Sequence, residues 1–448
     1  MPPAEENGAS AIPSGDEGDS PVTMFAHSET SRFWISGQGN VVLQWHSSFP
    51  ASYSGPNSLQ RHAENATSRV FTLFTGLELA RHTEIFADIE SAGGHGISEA
   101  LGVAGFTNLD VVRNPTLGEN PYLARLLVRQ IIPLSSEHIR AERGVHALST
   151  TLPARRLEIW AGKFGMVDFF DANSVGSDSH LQFLNWTVDN NGGYDYAANT
   201  RGYTDGIILE YDDHNWAVRF AEALMPKEAN GINLDADIAR ARAENLEFQY
   251  KRNFLGRWRP GRSGVARALS YVNHANMGNY REAIDAFLSG QDKQPDITKH
   301  RQQGRIKYGF GGNFEQELTE RARVFGRFGW NEGENESFAY TEVNQAVEAG
   351  ADYSGEAWSR KHDRIGGAFS LNAISGDHRR YLALGGLGFL LGDGALRYGR
   401  EQIFEGYYTL HVWRGAFVSL DLQHVTNPGY NQDRGPVFVP GLRAHVDF

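Results

Sequence analysis

PVFVPGLRAHVDF, residues 436–448, is the stretch on which the fold turns. Taken every second residue, Phe438, Pro440, Leu442, Ala444, Val446 and Phe448 form one apolar face. Gly441, Arg443, His445 and Asp447 lie on the other. Strict alternation over this length is a strand signal. A soluble β-sandwich would bury the apolar face. A membrane barrel turns that face out to lipid and its polar face in to a lumen.

The same two-residue period recurs upstream. Residues 32–46 set Ile35, Val41, Leu43 and Trp45 against Ser36, Gln38, Asn40 and Gln44. Residues 70–80 put Phe71, Leu73, Leu77 and Leu79 on one side. In 122–132, Ala124, Leu126 and Val128 oppose Arg125 and Arg129. In 339–353, Val343, Val347, Ala349 and Ala351 oppose Glu342, Asn344, Glu348 and Asp352. Segments 85–90, 157–164, 204–211, 216–224, 245–252, 265–273, 305–317, 321–330, 364–372, 404–413 and 418–425 read the same way. Together they predict about 16 strands, an even number as such barrels have. Tight turns at 81–83, 212–215 and 414–416 alternate with long loops at 47–68, 93–121, 165–200, 277–302 and 382–399. Within the fourth loop, 280–288 reads as a short amphipathic helix. That alternation of short and long connections is the asymmetry of a transmembrane antiparallel β-barrel. At this strand number the interior is wide enough for water.

Composition agrees. The 26 Phe, 17 Tyr and 9 Trp suit interface girdles, and the 50 Gly suit turns. Outward Trp45, Trp330 and Tyr408 are girdle candidates. No run of about 18 apolar residues exists for a membrane helix, yet a barrel strand needs only about 9–11. The absence of Cys excludes disulfides and thiol chemistry. A net charge of −12 argues against nucleic acid. The 16 His are scattered with no metal-ligand spacing, and the glycine run 385–394 lacks the βαβ context of a dinucleotide site. No metal or cofactor is expected. Residues 1–22 have neither a basic n-region nor an apolar core, so they read as a mature start. The expected organisation is a flexible polar periplasmic tail, 1–29, and one barrel, 30–448.

Several stretches resemble one family, the carbohydrate-selective porins of OprB type. They are ISGQGNVVLQWHSSFPASYSGPNSL (35–59), LGVAGFTN (101–108), AGKFGMVDFFDAN (161–173) with QFLNW (182–186), GYTDGIILEY (202–211) and the C-terminal block 401–448. The terminal Phe448 also resembles the closing residue of bacterial outer-membrane proteins. The resemblance implies a pore in the outer membrane of a Gram-negative bacterium that passes small saccharides by facilitated diffusion. Its surroundings would be outer-membrane lipid and lipopolysaccharide. The barrel-assembly machinery would read the strand ending in Phe448, and the pore would stand as a monomer or a homotrimer.

A sugar filter calls for forked donors, carboxylate acceptors and aromatic platforms. Arg125 and Arg129 lie four apart on one strand, about 13 Å along the wall. Arg323 and Arg327 repeat the spacing on another strand. Asp88 and Glu90 lie on the strand beside Arg125. Asp168, Asp171 and Trp186 belong to the loop 165–200, the natural segment to fold inward and narrow the lumen. These nine residues are the candidate constriction. The plainer reading makes the arginines wall ladders paired with neighbouring carboxylates. Two other functions fit the pattern less well: a general diffusion porin without sugar selectivity, and a soluble β-rich glycan-binding protein or glycosidase. The pairs Asp168/Asp171 and Asp88/Glu90 could in principle serve a glycosidase. Polar alternation accounts for acids inside a barrel without catalysis, so no enzyme is expected.

Overall fold

The computed structural model describes residues 22–110 and 117–448. The strands are β1 Phe33–His46, β2 Glu64–Ala80, β3 Thr83–Gly94, β4 Tyr122–Pro133, β5 His138–Arg140, β6 Thr151–Pro153, β7 Arg155–Phe164, β8 Thr204–Asp213 and β9 Trp216–Leu224. They continue as β10 Arg242–Lys251, β11 Gly264–Met277, β12 Gln302–Glu317, β13 Ala322–Asn331, β14 Gln345–Ser354, β15 Arg364–Ala373, β16 Glu401–Trp413, β17 Ala416–Thr426 and β18 Val437–Asp447. All but β5 and β6 form a closed antiparallel barrel, so sixteen strands of the described residues make the wall. Closure is necessary in lipid, where each unpaired backbone group costs several kcal/mol. The seam joins β1 to β18, with Gln38 opposite Asp447 and Gln44 opposite Gly441. The Phe448 amide donates to the Gly37 carbonyl at 2.8 Å, so the terminal residue itself extends the seam.

The wall obeys the sequence alternation. Ile35, Phe71, Leu73, Leu246, Phe248, Val347, Leu420 and Phe438 point outward and are exposed. Gln44, Glu158, Arg219, Glu247, Lys307 and Arg443 point inward and are buried. Among the described residues, no helix is long and apolar enough to cross a membrane. Helix α1, Tyr280–Leu288, lies where its periodicity predicts, capped by the Asn279 side chain.

Three segments depart from the sequence expectation. The alternation across 339–353 is a strand only from Gln345. Residues 338–344 fold inside instead, with the Phe338 and Ala339 amides donating to Asp195 and Val343 sealed in the core. Ala124 is not on the lipid face. The β3–β4 register shifts between Asp88/Arg125 and Ile89/Leu123, leaving Ala124 as a fully buried bulge residue. Part of the loop expected at 382–399 belongs to a helix, α2 Gly376–Ala383, capped by Ser375.

Of the expected tail 1–29, residues 1–21 lie outside the described residues, as do 111–116 of the loop read at 93–121. The Met24 amide donates to Asp447 at 2.8 Å, and His27 stacks on Trp34 with ring centroids 4.3 Å apart. These contacts lay residues 24–27 across the seam.

Candidate pore constriction

The connection 165–203 between β7 and β8 runs inside the barrel and is tied to the wall almost all the way round. Asp168 takes two hydrogen bonds from Arg125 on β4, at 2.7 and 2.8 Å. The Asp171 amide donates to Glu247 on β10, and its carboxylate lies 3.0 Å from Arg327 on β13. Asn173 bonds Asn313 on β12, and Asn185 bonds Gln423 on β17. Thr187 accepts from Asn372 on β15, and Gly192 donates to Glu348 on β14. Arg443 on β18 donates to the Gln182 carbonyl at 2.9 Å. A loop of 39 residues would be costly to order on its own. Hydrogen bonds to charged partners, each worth about 1.5–3 kcal/mol, offset that cost.

Glycine sets how closely the loop lies on the wall. A Cβ on Gly329 would sit 2.0 Å from the Asn191 carboxamide oxygen, and one on Gly193 would sit 2.8 Å from the Gly329 backbone. The bare floor of β13 therefore admits the Asn191–Gly193 turn.

Two other segments pack against this loop. The Trp186 amide donates to Phe106, and the Leu109 amide to Leu184. Thr341 donates to Gly192. The rings of Phe106, Trp186 and Tyr340 meet in one knot, with Trp186 5.7 Å from Phe106 and 4.7 Å from Tyr340. Trp186, read as a sugar platform, is thus a core residue only 7% exposed.

The structure separates the nine sequence candidates into groups. Asp88, Arg125 and Asp168 meet. Arg125 lies 3.4 Å from Asp88 and over the Tyr203 ring at 5.2 Å. Its side chain keeps 15% exposure and that of Asp168 keeps 25%. Glu90 stands one strand step away, accepting from Tyr203 at 2.9 Å and also from Tyr122. Arg129 sits deeper in the wall, forked onto Glu158 and 3.0 Å from Glu84, at 3% exposure. Arg323 is a wall residue as well, paired with Asp352. Arg327 and Asp171 form a sealed pair beside Glu348, with Arg327 fully buried.

Electrostatics differ at the two loop acids. Burial pushes the Asp168 carboxyl up, but the Arg125 guanidinium more than cancels this and holds it below the usual carboxylate range. At Asp171 burial dominates over Arg327, and the carboxyl ends above that range.

Sequence reasoning missed one participant entirely. The β4–β7 connection carries the β5–β6 hairpin and turns back into the lumen. His146 at its tip lies 2.7 Å from Asp88, Ser149 donates to Glu84 at 2.9 Å, and Leu148 is buried. The signal was its length, anomalous for the short-turn end.

The family model described as "Carbohydrate-selective porin, OprB family" matches residues 70–448. The chain belongs to that family. Its fold is that of solved relatives of low identity. The high-pH structure of Pseudomonas putida OprB superposes with a TM-score of 0.69 at 16% identity, covering 93% of this chain and 94% of that one. The outer membrane channel DcaP of Acinetobacter baumannii gives 0.51 at 10% identity, covering 93% and 97%. No curated protein matches in sequence. Family and closed barrel together make this porin an outer-membrane sugar channel and not an enzyme.

Proposed function

We propose that the porin carries small saccharides passively into the periplasm of a Gram-negative bacterium, with the Arg125–Asp168 pair as the part of its constriction that meets solute. The long loops face outward and the short turns face the periplasm, with residues 22–29 leading into the barrel there. Lipid and lipopolysaccharide surround the wall, and the assembly machinery engages the strand ending at Phe448. The pore is complete within one barrel, so a monomer and a homotrimer would transport alike.

One observation carries the assignment of the pair. Among the arginines predicted to line the pore, Arg125 alone is both forked onto the inward loop and partly exposed. A planar guanidinium offers a rigid row of donors to vicinal hydroxyls, and the adjacent carboxylates Asp168 and Asp88 accept from them. Both ions are already paired, so a passing sugar exchanges hydrogen bonds with them without requiring an unpaired charge. Binding of this kind is weak enough for release, as a channel requires.

Swelling of liposomes containing the purified protein tests this. Glucose and a disaccharide are compared with an amino acid of the size of glucose. Sugars entering faster than the size-matched amino acid support the filter. Rates ordered by size alone would leave a general diffusion porin.

A further inference from the structure

The chain is acidic overall, yet residues 251–264, KRNFLGRWRPGRSG, hold five cations and no acid. Residues 252–263 of this stretch form the turn between β10 and β11 at the short-turn end. Arg262 is paired with Glu320 at 2.9 Å, whereas Arg252, Arg257 and Arg259 are exposed and face no carboxylate within ion-pair distance among the described residues. Trp258, between two of them, is 81% exposed. The turn is nevertheless built. Asn253 accepts from the Leu255 amide at 3.0 Å and donates to the Arg259 carbonyl at 2.6 Å. The Phe254 amide donates to Gln316 at 3.0 Å. Its ring packs at 5.4 Å from Phe314 and 6.4 Å from Tyr250, both outward residues of the wall. The turn therefore leaves the barrel at the aromatic rim, where wall meets headgroups.

We propose that this turn is a docking site for anionic glycerophospholipid headgroups in the leaflet at the short-turn end. The proposal rests on the outer-membrane reading above. Guanidinium forks match phosphodiester oxygens. An exposed indole has its natural place at a lipid–water interface, and clustered arginines beside a membrane surface recognise anionic lipid. A turn facing only water would gain nothing from Trp258.

The experiment uses the full chain, delipidated in neutral detergent and titrated with phosphatidylglycerol or phosphatidylcholine of identical chains, with retained lipid counted by native mass spectrometry. We expect phosphatidylglycerol to be retained about tenfold over phosphatidylcholine, and millimolar inorganic phosphate not to displace it. The variant R252Q/R257Q/R259Q should fall to the phosphatidylcholine level, and W258A should fall part-way. Heat-modifiable gel mobility and sugar-driven swelling should stay at wild-type values, which establishes that the variants fold. Equal retention of the two lipids, or retention unchanged in the triple variant, would overturn the proposal. So would arginine-dependent capture of soluble cell-wall fragments with no preference between lipids. A protein that shows the lipid preference but no swelling would sink the pore reading and leave this one standing.

Discussion

β4 and β13 carry arginine pairs of identical spacing, Arg125/Arg129 and Arg323/Arg327, and the fold uses them in opposite order. On β4 the residue nearer the long-loop end, Arg125, meets the inward loop at Asp168, and Arg129 is consumed by wall acids. On β13 Arg327 meets the loop at Asp171, and Arg323 pairs with the wall. β13 runs antiparallel to an even-numbered strand such as β4, so the member nearer the long loops comes second in sequence. The two loop contacts also differ in kind. The β4 contact is open to the lumen, and the β13 contact is sealed. One is placed to touch solute and the other to hold the loop.

This contrast can be broken experimentally. The largest effect is expected from Arg327→Ala. It strands Asp171 and Glu348 in a buried site, which costs about 3–5 kcal/mol. Urea unfolding in detergent should shift accordingly, and single-channel conductance should rise as the loop loosens. Unaltered stability would mean that the sealed pair does not anchor the loop.

Arg125→Ala should act on permeation. Asp88 keeps His146, and Asp168 keeps the Gly165 amide at 3.1 Å, so the barrel stays folded. Loss of its charged hydrogen bonds, each worth about 1.5–3 kcal/mol, should abolish the advantage of glucose over a size-matched amino acid in liposome swelling. Arg129→Ala is the control on the same strand. Glu158 retains Arg156 at 2.6 Å and Glu84 retains Ser149, so swelling selectivity should persist. Equal loss in both variants would refute the division of labour on β4.

Asp168→Asn tests the electrostatics. The folded carboxyl titrates below its unfolded value of about 3.9, so its stabilisation is complete above that value and disappears as pH falls through the folded one. The Tm gap between wild type and variant should be full at neutral pH and close progressively below about pH 4. A gap that widens on acidification would contradict the Arg125 pairing. Asp171 has the opposite sign: its raised carboxyl favours the folded state below its unfolded value, and that contribution is lost as pH rises through the folded one.

The smallest effect belongs to Arg323→Ala. Asp352 keeps Arg364 at 2.9 Å, so no buried carboxylate is left without a cation and stability should fall less than in Arg327→Ala, with unchanged swelling rates.

Strand positions were legible because lipid and lumen impose a two-residue period on every strand. β1, β4, β8, β9, β15 and β18 fall within one or two residues of their sequence reading. Segment 339–344 misled for the same reason. Its end, Glu342-Val343-Asn344, continues the alternation of the strand that follows, but all three residues are buried by other chain segments. The Ala124 bulge carries no sequence mark, since Ala fits either face.

The sequence alone determined the closed barrel, its even strand number, the lipid-facing and lumen-facing sets and the inward loop. These follow from local periodicity and from the need to satisfy every backbone group in a bilayer. Only the tertiary structure decided which arginine meets the loop, that Trp186 is core, and that a hairpin brings His146 to Asp88. Those contacts join residues as far as 58 positions apart in the case of His146 and Asp88, and 156 in that of Asp171 and Arg327. Their partners are set by register around the closed wall, which no local pattern records.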